Sequence, residues 1–180
     1  MTALLLSLHV LAAIVAIGPI TVAASMFPRY VRPPGEDAEA PPERDRRQVA
    51  ALLHRICRGY TVLGVAVPVF GVATGARLGV LTDAWLLASI LLTVAAAALL
   101  TAVILPGQRS LLDPATVSES AAGGDTADGA RGEVAGAGTG GADARGSAAA
   151  RLAMTTGIFN LLWAAVVVLM IVRPGSTTGV

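Results

Sequence analysis

The sequence predicts an all-α protein, a bundle of four membrane-spanning helices, and three observations carry that reading. A mean hydropathy of +0.71 is too high for an ordinary soluble domain of 180 residues. The apolar residues gather into four runs, each long enough to cross about 30 Å of hydrocarbon as a helix rising about 1.5 Å per residue. Polar connectors rich in proline, arginine or glycine separate those runs. Residues 1–180 therefore read as a single integral membrane domain, with helices at about 3–26, 45–81, 84–105 and 148–172.

The first run, Ala3 to Met26, follows the starting methionine with no basic residue before it, which predicts a retained span rather than a cleaved signal. Pro19 inside it withdraws the N–H that the Val15 carbonyl would receive and is expected to bend the helix. Ala12, Ala16, Pro19 and Ala23 form a stripe of small residues along it. The connector that follows holds two proline pairs, Pro33-Pro34 and Pro41-Pro42, and reads as a solvated loop. From about Asp45, Val49, Leu52, Leu53, Ile56 and Tyr60 share one helical face, with Arg47, His54, Arg55 and Arg58 on the others. This is an amphipathic lead-in continuous with the second span.

Between Gly59 and Ala76 the second span carries no charge. Gly64, Pro68, Gly71, Gly75 and Gly79 recur within it at helical spacing and share one face. Small residues in that arrangement let another backbone approach closely in lipid, so this span is expected to be the central packing partner. A tight turn follows Gly79, with Thr82 or Asp83 placed to cap the third span, which is expected to stop at Pro106-Gly107. Trp85 fits an interfacial aromatic. Residues 108–146, rich in Gly, Ala, Asp and Ser and poor in large apolar side chains, are predicted to be a disordered insert. Ser147 is expected to cap the fourth span, which ends at Arg173-Pro174-Gly175.

Orientation follows from arginine. All thirteen basic residues are arginine, a bias that, with the abundance of Ala, Gly, Val and Leu, points to a high-GC bacterial gene. Arg29, Arg32, Arg44, Arg46, Arg47, Arg55 and Arg58 belong to the first connector and its lead-in, and Arg109, Arg131, Arg145 and Arg151 to the third. The opposite side has Arg77 and Arg173. The positive-inside rule then puts both termini outside the cell and both long connectors in the cytoplasm of a bacterium, the chain crossing its plasma membrane.

His9 is the one ionisable side chain well inside a span, about 8 Å to the outside of the midplane if the first helix is centred near Ile14. A polar group at that depth faces the bundle interior or a cavity and is a functional candidate, as a haem ligand, a proton relay or an interhelical hydrogen-bonding group. Met170, about 12 Å above the midplane on the fourth span, is its best geometric partner for haem iron. Asn160 lies mid-span and is expected to hold helices together through Thr21, Thr61 or the free carbonyl near Pro68. One cysteine, Cys57, excludes an internal disulfide, and with two histidines zinc-site arithmetic fails. A net charge of +1 argues against nucleic acid as a partner. There is no nucleophile triad, buried carboxylate pair or nucleotide motif, so an enzyme working by such chemistry is not expected.

The opening Leu8-His9-Val10-Leu11-Ala12-Ala13-Ile14-Val15-Ala16-Ile17-Gly18-Pro19 and the ending Leu169-Met170-Ile171-Val172-Arg173-Pro174-Gly175 resemble a bacterial family of predicted four-span membrane proteins, classed as a domain of unknown function. That family is distantly similar to copper-resistance-type membrane proteins and to haem-linked protoporphyrinogen oxidases, which share a histidine early in the first helix. The resemblance implies His9 as an axial haem ligand. The oxidases also use a lysine, and this chain has none. The leading reading is a multi-pass protein of unknown biochemical role. Beside it stand a haem-associated redox protein, a small transporter or channel subunit acting as an oligomer, and a structural or assembly partner whose arginine-rich lead-in and cytoplasmic connectors recruit another component, with a homo-oligomer or a membrane protein as the possible partner.

Overall fold

The computed structural model describes residues 2–32, 41–113 and 137–174. The described chain is helical, and four of its helical stretches are long and apolar enough to cross a membrane. α1 covers Thr2–Val31, α2 Glu43–Gly64, α3 Ala66–Leu78, α4 Ala84–Leu99, α5 Leu105–Leu112 and α6 Ala137–Val172. Together α2 and α3 make the second span, and α4, a π turn and α5 the third.

Prolines decide where these helices break. Pro68 has no N–H for the Gly64 carbonyl, and its ring crowds that carbonyl. The expected continuous second helix accordingly divides at Val65, whose N–H reaches back only three residues to Val62 at 3.3 Å. Pro106 acts differently. Leu100–Ile104 widens into a π turn, in which the Leu105 N–H bonds the Leu100 carbonyl. The wider turn absorbs the proline and lets the third span run on to Leu112, past the expected stop at Pro106-Gly107. α1 continues through both Pro19 and Pro28 to Val31, five residues beyond the expected end at Met26.

The proposed disordered insert is helical at both edges, in the stretch to Leu112 and from Ala137 onward, and residues 114–136 lie outside the described part. Ser147 is therefore not a cap. It sits inside α6 and its hydroxyl donates to the Ala144 carbonyl at 2.9 Å. Asp83 does stand at the start of α4, in extended conformation, but its side chain makes no capping bond.

The central helix is α1, not the glycine-bearing second span. α1 packs on α2, α3 and α6, while α3 rests on α1 and meets α4 only narrowly, near the turn that joins them. The stripe predicted on α1 is the reason: Ala16 and Ala23 are fully buried, and Ala24 beside them gives the same close approach. The continuous core lies toward the arginine-rich end, where Ile20, Phe27, Leu53, Cys57, Ile104, Leu152 and Phe159 pack together. On α2 the buried face is Ala50, Leu53 and Cys57, with Val49, Ile56 and Tyr60 at its flanks; Leu52, placed on that face by periodicity, points out. Many large apolar side chains, such as Ile14, Val62, Leu91, Leu161 and Ile171, are exposed around the outside, the pattern of a lipid-facing surface.

The end opposite the arginine cluster is tied by Trp85 and Arg173. The Trp85 indole N–H donates to Asp83 Oδ2 at 3.1 Å, and the Arg173 guanidinium lies 5.6 Å from the centre of the indole. Arg173 holds a φ of 43°, left-handed backbone that disfavours a side chain by about 1 kcal/mol. A cation over an aromatic face returns about 0.5 to 1 kcal/mol. Arg173→Gly, which loses the contact and relieves the backbone, should leave the thermal midpoint in detergent nearly unchanged. Arg173→Ala should lower it.

Candidate functional site

His9 is half-buried on α1, and its ring nitrogen Nδ1 stands 2.8 Å from the Val67 carbonyl on α3. A carbonyl only accepts, so Nδ1 carries a proton and donates it. The ring fills the place a side chain would occupy on Gly71: a Cβ there would come within 2.9 Å of His9 Cε1 and 3.1 Å of Nδ1. Two residues singled out in the sequence, His9 and Gly71, are thereby brought together. The histidine needs the glycine to reach the carbonyl one turn below it.

The remaining stripe residues divide. Gly75 is buried, and a Cβ on it would meet Leu86 and Leu81 at 2.9 and 3.2 Å, so it seats the turn into α4. Gly79 has a φ of 70° and ends α3 as its left-handed cap, its N–H and that of Val80 returning to Ala76 and Gly75. Gly64 has open space where a Cβ would be, and Pro68 is exposed. Only Gly71 and Gly75 serve close packing. Met170 is half-buried on α6, and none of the described contacts joins it to His9.

Asn160 finds neither Thr21 nor Thr61. Its amide donates to Ser25 Oγ on α1 at 3.3 Å, and Thr61 bonds its own helix at the Cys57 carbonyl, 2.7 Å away. Asn160 Oδ1, Thr156 Oγ1 and Trp163 Nε1 are buried without a hydrogen-bond partner. The three residues stand at i, i+4 and i+7 on one face of α6, and the Trp163 ring meets Phe159 edge-on at 6.4 Å. One long hydrogen bond set against a buried orphan carbonyl contributes little, so Asn160→Leu should leave the thermal midpoint unchanged or raise it.

A second polar cluster joins α2 to α5. Gln108 is wholly buried; its Oε1 accepts from His54 Nδ1 at 3.0 Å and its Nε2 donates to Cys57 Sγ at 3.7 Å. The thiol in turn points at the Ile20 carbonyl of α1, 3.9 Å away. Sequence reasoning set His54 on a solvated face and put Gln108 in the insert. A signal existed in the helical spacing of His54 and Cys57, i and i+3, on one face of α2.

No family model, curated protein or solved structure matches the chain. Among the described residues no group of three or more His, Cys, Asp or Glu is placed to hold a metal ion. The chemistry the site offers is that of one imidazole fixed through Nδ1 by its carbonyl partner, with Nε2 in none of the described hydrogen bonds.

Proposed function

We propose that this chain is a structural or assembly component of a bacterial plasma membrane, with both termini extracytoplasmic, and that it performs no catalysis of its own. The observation that supports this is the use made of His9. His9, an ionisable side chain deep in a span, is committed to helix packing, its N–H on the Val67 carbonyl and its ring on Gly71. The described arginines also support the orientation. Arg29, Arg32 and the α2 arginines share one end of the bundle with Arg109, Arg145 and Arg151, through the contacts of α1 with α2 and of α5 with α2 and α6. That arginine-rich face is the surface offered to a membrane-protein partner.

A haem-associated role is the second reading, because a histidine whose Nδ1 is held by a backbone carbonyl presents Nε2 as an axial ligand does. His9 fits one axial position; when bound, the haem would supply redox chemistry, and His9 would orient it. The visible spectrum of the detergent-purified protein separates the two. The proposed role predicts a colourless protein that His9→Ala merely destabilises. A Soret band that His9→Ala abolishes would overturn it. A transporter or channel role calls for oligomers, and a monomeric mass in lipid would count against that alternative.

A further inference from the structure

Between α1 and α2 an open groove is lined by Val15 of α1 and by Arg55, Ile56, Gly59, Tyr60 and Leu63 of α2. Its walls change character along their length. From Arg55 to Leu63 the helix climbs about 12 Å at 1.5 Å per residue. An exposed guanidinium stands at one end, the half-buried Tyr60 phenol in the middle, and the aliphatic side chains of Val15 and Leu63 toward the other. Gly59 marks the start of the uncharged stretch of the second span, so the guanidinium falls at headgroup level and the aliphatic part at acyl-chain level. A Cβ on Gly59 would meet nothing within 4 Å, which leaves the middle of the groove free for something other than protein.

The charge around it has one sign. α1 contains no carboxylate, and α2 has only Glu43 and Asp45, both in its first turn, with Glu43 paired to Arg47 at 2.8 Å. We infer that this groove holds one anionic glycerophospholipid of the arginine-side leaflet, its phosphate on Arg55, its glycerol esters beside Tyr60 and an acyl chain along Ile56, Gly59, Leu63 and Val15. A zwitterionic lipid offers the same chain but adds a cation next to Arg55, so the site selects by net headgroup charge. The inference rests on the bilayer-spanning part of the proposed function and not on the absence of haem.

Native mass spectrometry of the full-length protein tests it, with the detergent-purified chain given equal phosphatidylglycerol and phosphatidylcholine. The wild type should retain one phosphatidylglycerol about fivefold more than phosphatidylcholine. Arg55→Gln should abolish that preference while still retaining lipid. Gly59→Leu, which fills the groove, should lose both lipids. Arg173→Gln at the far end should behave as wild type. Should Gly59→Leu fail to elute as folded protein, Arg55→Gln and Tyr60→Phe carry the test, the latter with weaker retention of both lipids. Equal retention of the two lipids by wild type, an unchanged preference in Arg55→Gln, or an equal loss in Arg173→Gln would overturn the site. So would displacement of the lipid by millimolar inorganic phosphate, since the anion alone would then be the ligand. A coloured preparation with lipid selectivity intact would sink the proposed function and leave this inference standing.

Discussion

Replacing Gly71 by leucine is expected to destabilise the protein by about 2 to 4 kcal/mol, the sum of overpacking against the His9 ring and the loss of its interhelical bond. The ring cannot simply lean away. A Cβ on residue 71 would stand 2.9 Å from Cε1, and any shift that relieves this lengthens the 2.8 Å contact between Nδ1 and the Val67 carbonyl. Gly71→Ala should show the same effect at smaller size. His9→Ala alone should cost about 1 kcal/mol, because hydrogen bonds between membrane helices are individually modest. The pairing is tested by the double variant. With the ring gone, His9→Ala/Gly71→Ala should be more stable than the sum of the single effects allows, a coupling that only touching residues show. Reversible unfolding in mixed micelles measures it, and strict additivity would mean that the two residues do not meet.

Gln108→Ala should cost about 2 to 4 kcal/mol. It empties a wholly buried volume in the core and removes the acceptor of His54 and the donor to Cys57 at once. Gln108→Leu keeps most of the volume, and half-buried His54 can turn to water or headgroups, so its cost should be near 1 kcal/mol. The contrast between the two separates packing from polar bridging. If alanine is tolerated like wild type, α5 is not held against α2 through this residue.

The four spans were legible in composition and hydropathy because lipid demands long uncharged helices, and no tertiary detail competes with that demand. The ending at Gly79 was legible for the same kind of local reason, since a glycine that takes left-handed backbone before a tight turn is a helix stop. His9 and Gly71 were each visible, one as a buried ionisable group and the other as part of a small-residue stripe. Their meeting was not, because two such stripes exist and nothing local says which helix lies between the others. The break at Val65 helps decide it. α2 and α3 are separate helices that both pack on α1, and a divided span makes a poor hub.

Pro106-Gly107 misled for a physical reason. A proline after a long apolar run is a stop signal in the α register, and a π turn removes the clash that makes it one. Whether such a turn forms depends on what the helix beyond it can bury. Here it buries Gln108 against α2 and brings Gly107 to Leu152 of α6, contacts that no local pattern records. Gln108 and His54 were missed together, since each looks solvated until the other is placed.

The most direct test of the account is the accessibility of cysteines introduced at Arg47 and Thr82, each in a Cys57→Ser background, to a membrane-impermeant maleimide on intact cells. With four spans and the arginine-rich end in the cytoplasm, Thr82→Cys is labelled from outside and Arg47→Cys only after the membrane is opened. Labelling of Arg47→Cys on intact cells, with Thr82→Cys protected, would contradict it.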